Sequence, residues 1–184
     1  NGEPVKINCS EDAIKHGIGM VHQHFMLVPE LTVTENVILG LKSHREPFLD
    51  LKAAEKVVQE LSDRYRFNVN PRAKVKDLPV GIQQRVEILK TLYRKADILI
   101  LDEATAVLTP QEVEELFQII RRLTEEGKSI LIITHKLDEV MALADRVTVL
   151  RDGKVAGTVA KKDTNPKDLA RMMVGREVFL NFER

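Results

Sequence analysis

Hydrophobic positions along the chain change period twice, and those changes mark out its elements. Ile18–His22 (IGMVH) is a short apolar run that predicts a buried strand. Glu3–Ile7 reads as the end of an earlier strand. Ser10, Glu11 and Asp12 open a short helix that runs to about His16 and stops at Gly17. From about residue 34 the period is helical. Thr34 begins one helix, with Glu35 suited to its N-terminus. Leu51, Ala54, Val57, Val58 and Leu61 line a second helix reaching Tyr65. Asn68–Pro71 break the pattern, and Gly81 precedes a third helix with Val86, Leu89 and Leu92 on one side. Beyond residue 95, short apolar runs return. Ile98–Leu101, Ser129–Ile133 and Arg146–Leu150 predict strands, alternating with helices at Pro110–Glu126 and from Leu137 to about Ala144. Such alternation predicts βαβ units on a parallel sheet. Asp152-Gly153 then predicts a hairpin to Val155–Val159, and Pro166–Val174 a last helix ending at Gly175.

Composition narrows the class without naming a function. With 184 residues, 43% apolar and 30% charged, the chain is long enough for a domain with a sizeable core. Lys and Arg (28) balance Asp and Glu (28), which argues against nucleic acid as the main partner. Cys9 is the one cysteine, so there is neither an internal disulfide nor a cysteine-based zinc site. The apolar runs are too short to span a bilayer. Asn1 stands where a natural start would carry Met, and it reads as a cut point.

The chemistry concentrates at strand ends. Ile98–Leu101 ends in Asp102-Glu103, and in a parallel sheet the carboxyl end of a strand borders the ligand crevice. There one carboxylate can hold Mg²⁺ through water while its neighbour orients or deprotonates an attacking water. The strand at Ile130–Ile133 runs into Thr134-His135, and Gln23 follows Ile18–His22 directly. Leu78–Arg85 (LPVGIQQR) is a turn entering a helix, whose N–H groups suit an anion. Singly, the last three are explained by a capping histidine, a polar loop residue and a Pro-Gly turn, whereas an apolar run ending in two adjacent carboxylates is hard to explain as packing or as a solvated acidic turn.

In this order, they resemble the nucleotide-binding domain of ABC transporters. Gln23 matches the Q-loop, Leu78–Arg85 the LSGGQ signature followed by QR, Asp102-Glu103 the Walker B end, and His135 the H-loop. Met20–Met26 and Thr105–Pro110 are similar to a narrower group, the ATPase subunits of bacterial nucleoside and simple-sugar importers, and specifically their first half, with Met172–Phe182 leading toward a second. The resemblance implies an α/β fold: a partial P-loop NTPase core with a mostly parallel sheet (residues 1–31 and 96–184) and an inserted helical subdomain (32–95). It implies ATP and Mg²⁺ as ligands. Glu103, His135 and Gln23 would be catalytic, Asp102 and Gln23 would serve the metal, and Asp102, Gly81 and Gln83 would contact nucleotide. The implied partners are a second nucleotide-binding domain, transmembrane permease subunits and an extracytoplasmic solute-binding protein, with the chain peripheral on the cytoplasmic face of the membrane. The apolar loop residues Phe25–Val28 fit the permease contact.

Departures from the pattern qualify this. Pro79 replaces the signature Ser and offers neither hydroxyl nor N–H. Val80 replaces a Gly, and Thr109 stands where the D-loop ends in Asp. No GxxxxGK[ST] occurs in these residues, so the chain by itself is expected to grip ATP weakly. The alternative within the family is a regulatory, catalytically weak half of a tandem ATPase. A chromosome or DNA-repair ATPase would need a long coiled coil between Gln23 and Leu78, and that interval shows no sustained heptads.

Overall fold

The computed structural model describes residues 2–41 and 50–175. The chain divides into two compact units, residues 1–133 and 134–184. In the first, helix α1 (Ser10–Lys15) leads into strand β1 (Ile18–Val21). Helices α2 (Val33–Ile38), α3 (Leu51–Tyr65) and α4 (Val80–Tyr93) follow, then β2 (Ile98–Asp102), α5 (Pro110–Glu125) and β3 (Ser129–Ile133). The three strands form a parallel sheet in the order β1-β2-β3, as the short apolar runs predict.

Burial follows the two-residue period of the sheet. Leu99 and Leu101 of β2 are fully buried, whereas Ile98 and, on β3, Leu131 and Ile133 are exposed. α2, α3 and α4 pack on one another, and α4 also packs on β1. Gly19 permits that close approach: a Cβ there would lie 2.7 Å from Cβ of Thr91 and 3.0 Å from that of Ala96.

The second unit holds α6 (Leu137–Leu143), the hairpin strands β4 (Arg146–Arg151) and β5 (Lys154–Ala160), and α7 (Pro166–Val174). Asp152 and Gly153 both have positive φ (53° and 71°), the backbone that a two-residue hairpin turn needs. α7 packs on β4 and ends at Gly175, whose φ of 78° stops it.

Three expectations are corrected. Glu3–Ile7 forms no strand. The second helix starts earlier than Thr34: Thr32 is its N-cap, and Thr32 and Glu35 exchange both bonds of a capping box. β4 does not extend the parallel sheet but pairs antiparallel with β5. Its sequence shows why: a two-residue turn leaves no room for the crossover that a parallel partner requires. The stretch from residue 176 toward Phe182 lies outside the described residues.

Candidate functional site

β2 delivers two half-buried carboxylates to the carboxyl end of the sheet. Asp102 is its last residue, in register with Ile133 of β3, and Glu103 opens the turn that follows. Glu103 has φ 45°, a left-handed conformation that costs an L-residue about 1–2 kcal/mol. Its N–H donates to Ile133 O (2.9 Å) and its carbonyl accepts from Ala106 N–H (3.0 Å), which fix the turn. A non-glycine residue kept in this region by its surroundings is a mark of functional sites.

That turn brings the carboxylate to the end of β1. Gln23 Nε2 donates to Glu103 Oε2 at 2.9 Å, across 80 positions of sequence. With its NH₂ group so engaged, the amide presents its oxygen as an acceptor or metal ligand. Among the described residues, no three His, Cys, Asp or Glu side chains gather as a metal cage. Mg²⁺ commonly takes one or two protein carboxylates and completes its shell with water and phosphate oxygens. Asp102 and the Gln23 oxygen are hard donors of that kind, so the donor set fits Mg²⁺ delivered with a nucleotide.

The helix-entry motif is more self-contained than its sequence implies. Pro79 is the N-cap of α4 and makes no side-chain cap bond. Gly81 is buried, and a Cβ on it would overlap the carboxylate of Glu112. Thr109 caps α5 and shares a full capping box with Glu112. The Thr109 N–H, then its hydroxyl, with the Gly81 N–H contributing, hold the Glu112 carboxyl below the usual carboxylate range. Gln83 folds back on its own turn, its Nε2 donating to Leu78 O (2.9 Å). Counted from Leu78, the fifth LSGGQ position falls on Ile82, and Gln83 is the residue after it. Arg85 donates to Phe67 O (3.0 Å) and pairs with Glu115 of α5.

His135 belongs to the second unit and is exposed. Local capping falls to its neighbour: the Thr134 hydroxyl accepts from Lys136 N–H (3.1 Å) and donates to the buried Glu139 (2.8 Å).

The loop after Gln23 alternates. Phe25 and Leu27 are half-buried, whereas Met26 is 63% and Val28 39% exposed. Three polar residues that the sequence reading did not single out hold this loop. Asn36, buried on α2, accepts from Val28 N–H (2.7 Å) and donates to the carbonyls of Val28, Leu31 and Thr32. Glu87 and Lys90 of α4 hold Met26. The available signal was a polar residue inside an apolar helical stripe, Asn36 beside Val33 and Val37 and Glu87 beside Val86 and Ile88.

The family described as ABC transporter matches residues 1–106. The chain belongs to the ABC transporter family. Among curated ABC relatives, it is 58% identical over 177 residues to the nucleoside import ATP-binding protein NupA of Lactococcus lactis, covering 96% of this chain and 35% of that protein. It is 56% identical over 183 residues to the guanosine import ATP-binding protein NupO of Bacillus subtilis, covering 100% and 36%. With the ribose import ATP-binding protein RbsA 1 of Rubrobacter xylanophilus, identity is 46% over 184 residues, covering 100% and 37%. The chain thus spans little more than a third of these relatives' length. Solved ABC cassettes share its fold. The cassette MJ0796, in a dimeric post-hydrolysis state with ADP and Pi, superposes with a TM-score of 0.68 at 26% identity, covering 84% of this chain and 68% of that one. The protein cbiO1 from Clostridium perfringens, part of the ABC transporter complex cbiONQ, does so at 0.70 and 27%, covering 95% and 68%. The resemblance to the ABC nucleotide-binding domain, carried by Gln23, Leu78–Arg85, Asp102-Glu103 and His135, and the narrower one to nucleoside and sugar importer ATPases, carried by Met20–Met26 and Thr105–Pro110, agree with these matches.

Proposed function

We propose that the chain is the catalytic part of an ATP-hydrolysing subunit that drives uptake of a nucleoside or simple sugar. The observation that carries this is the Gln23–Glu103 hydrogen bond at the carboxyl end of a parallel sheet, beside Asp102. Glu103 is the general base: its carboxylate accepts the proton of the attacking water while the left-handed turn holds it in place. Gln23 orients that carboxylate and registers the metal through its amide oxygen. Asp102 anchors the water shell of Mg²⁺, which when bound neutralises charge on the phosphates. His135 donates to the γ-phosphate. The helix entry at Gly81 faces the nucleotide of an opposing domain, and Gln83 supports that entry by bonding Leu78 O.

In the same reading, residues 1–31 and 96–184 form the ATPase core and 32–95 a helical subdomain, supported by the mutual packing of α2, α3 and α4. The partners are a second nucleotide-binding domain, two permease subunits reached through Met26 and Val28, and an external solute-binding protein. The work is done at the cytoplasmic face of the membrane; no helix among the described residues is long and apolar enough to cross it. The relatives' names, nucleoside, guanosine and ribose import, support the solute class.

A second reading is favoured by one observation. Pro79, the N-cap of α4, offers neither hydroxyl nor N–H, which weakens the face this half would offer an opposing nucleotide. A regulatory half would then tolerate loss of its own base. MgATP hydrolysis by the full-length subunit separates the two. Glu103→Gln is expected to lower turnover by about 10²–10⁴-fold with nucleotide binding kept, the range for loss of a general base. Unchanged turnover would favour the regulatory reading.

A further inference from the structure

α4 begins at the signature turn, and about two turns further along it carries a carboxylate that the nucleotide site does not use. Glu87 is only 3% exposed. One of its oxygens accepts from Met26 N–H at 2.6 Å, and the other pairs with Lys90 Nζ at 3.2 Å. Lys90 Nζ in turn donates to Met26 O at 3.1 Å. Both polar backbone groups of one loop residue are therefore tied to one turn of α4 by an ion pair whose side chains are 4% and 16% exposed.

A buried ion pair is a poor source of stability, because desolvation offsets most of the attraction and apolar residues of similar volume serve as well or better. Geometric specificity is what such a pair can add, and here the geometry has a destination. Met26 follows Gln23 by three residues, and Gln23 reaches Glu103. Asn36 pins the backbone of Val28 in the same way, from α2. The loop thus has a fixed backbone and exposed apolar side chains at Met26 and Val28. Displacement of those side chains would strain the bonds to Glu87 and Lys90, with Gln23 three residues before Met26 and the signature turn at the start of the same helix.

We propose that Glu87 and Lys90 are positioning residues: a clamp on the Met26 backbone that couples the exposed loop surface, the Gln23–Glu103 pair and the signature end of α4. The proposal rests on the hydrolytic role assigned above to Gln23 and Glu103.

The test uses the full-length subunit assembled with its membrane subunits in liposomes, with MgATP as the probe, together with amide exchange at Met26. Glu87→Ala removes the acceptor, and exchange at Met26 is expected to rise at least about tenfold, as for a lost bond to a charged group. Amides of Ile88–Leu92 should keep their protection, and kcat should fall about tenfold with KM for ATP within about twofold, the pattern of an interaction felt beyond substrate binding. Glu87→Gln keeps an acceptor for Met26 N–H and should restore both protection and most of the turnover. Lys90→Met should weaken both to a smaller degree. The clamp is overturned if Glu87→Ala leaves Met26 exchange and kcat unchanged. It is equally overturned if protection is lost throughout α4 with no rescue by Glu87→Gln, since the pair then only holds the fold. Full turnover in Glu103→Gln would overturn the assignment beneath the clamp and the clamp with it, and the Met26 exchange identifies which has failed.

Discussion

At the scale of single residues, the positions that matter are those held against their own preference. Glu103 keeps a left-handed backbone because Ile133 O and Ala106 N–H bracket it, and Gln23 meets the carboxylate that results. The Asp102-Glu103 pair was legible from the apolar strand before it; the left-handed turn was not, since nothing in Glu itself encodes φ 45°. Glu87 and Glu112 were hidden for another reason: each is a common helix-surface residue type whose partner lies far away in sequence or outside its helix. Tyr65 offers a check on the placement of such groups. Burial, then its hydrogen bond to Glu126 (2.7 Å), push its phenol up to about 12. The unfolded chain gives up this proton near the ordinary value of about 10 and the folded chain does not. The stability involved is therefore complete below about pH 10 and is lost as pH rises toward 12. Phenolate absorbance of the chain compared with that of Tyr65→Phe should assign to Tyr65 an ionisation well above 10. A Tyr65 ionisation near 10 would contradict this environment.

At the scale of elements, the period of the sequence carries most of the fold. α3, β3 and α7 span the residues their patterns predict, because each has turn chemistry at both ends and one unbroken period between. Glu3–Ile7 alternates like a strand but finds no pairing partner among the described residues, and β4 follows the sequence yet joins a hairpin sheet. Pairing is a long-range property, so pattern alone does not fix it. The packing of α4 on β1 makes a sharper prediction. Gly19→Ala places a methyl group 2.7 Å from Cβ of Thr91, which has no room to retreat on a helix. Overpacking of this kind costs about 1–3 kcal/mol, to be read from the urea midpoint. An unchanged midpoint would show the β1–α4 contact to be looser than described.

At the scale of the molecule, the 184 residues carry the carboxylates proposed as base and metal anchor and the exposed loop residues Met26 and Val28, and no GxxxxGK[ST]. That loop's N–H groups and lysine are the proposed main source of phosphate affinity. Calorimetric titration of these residues with MgATP should show no micromolar binding, and a micromolar isotherm would contradict that division of labour. The central claim is that Gln23 and Glu103 act as one unit in hydrolysis, and a double-mutant cycle on turnover by the full-length subunit addresses it most directly. Gln23→Ala and Glu103→Gln should each slow MgATP hydrolysis, and the double variant should be hardly slower than Glu103→Gln alone, because groups acting together lose their effects together. Effects that multiply independently, or full turnover in Glu103→Gln, would contradict it.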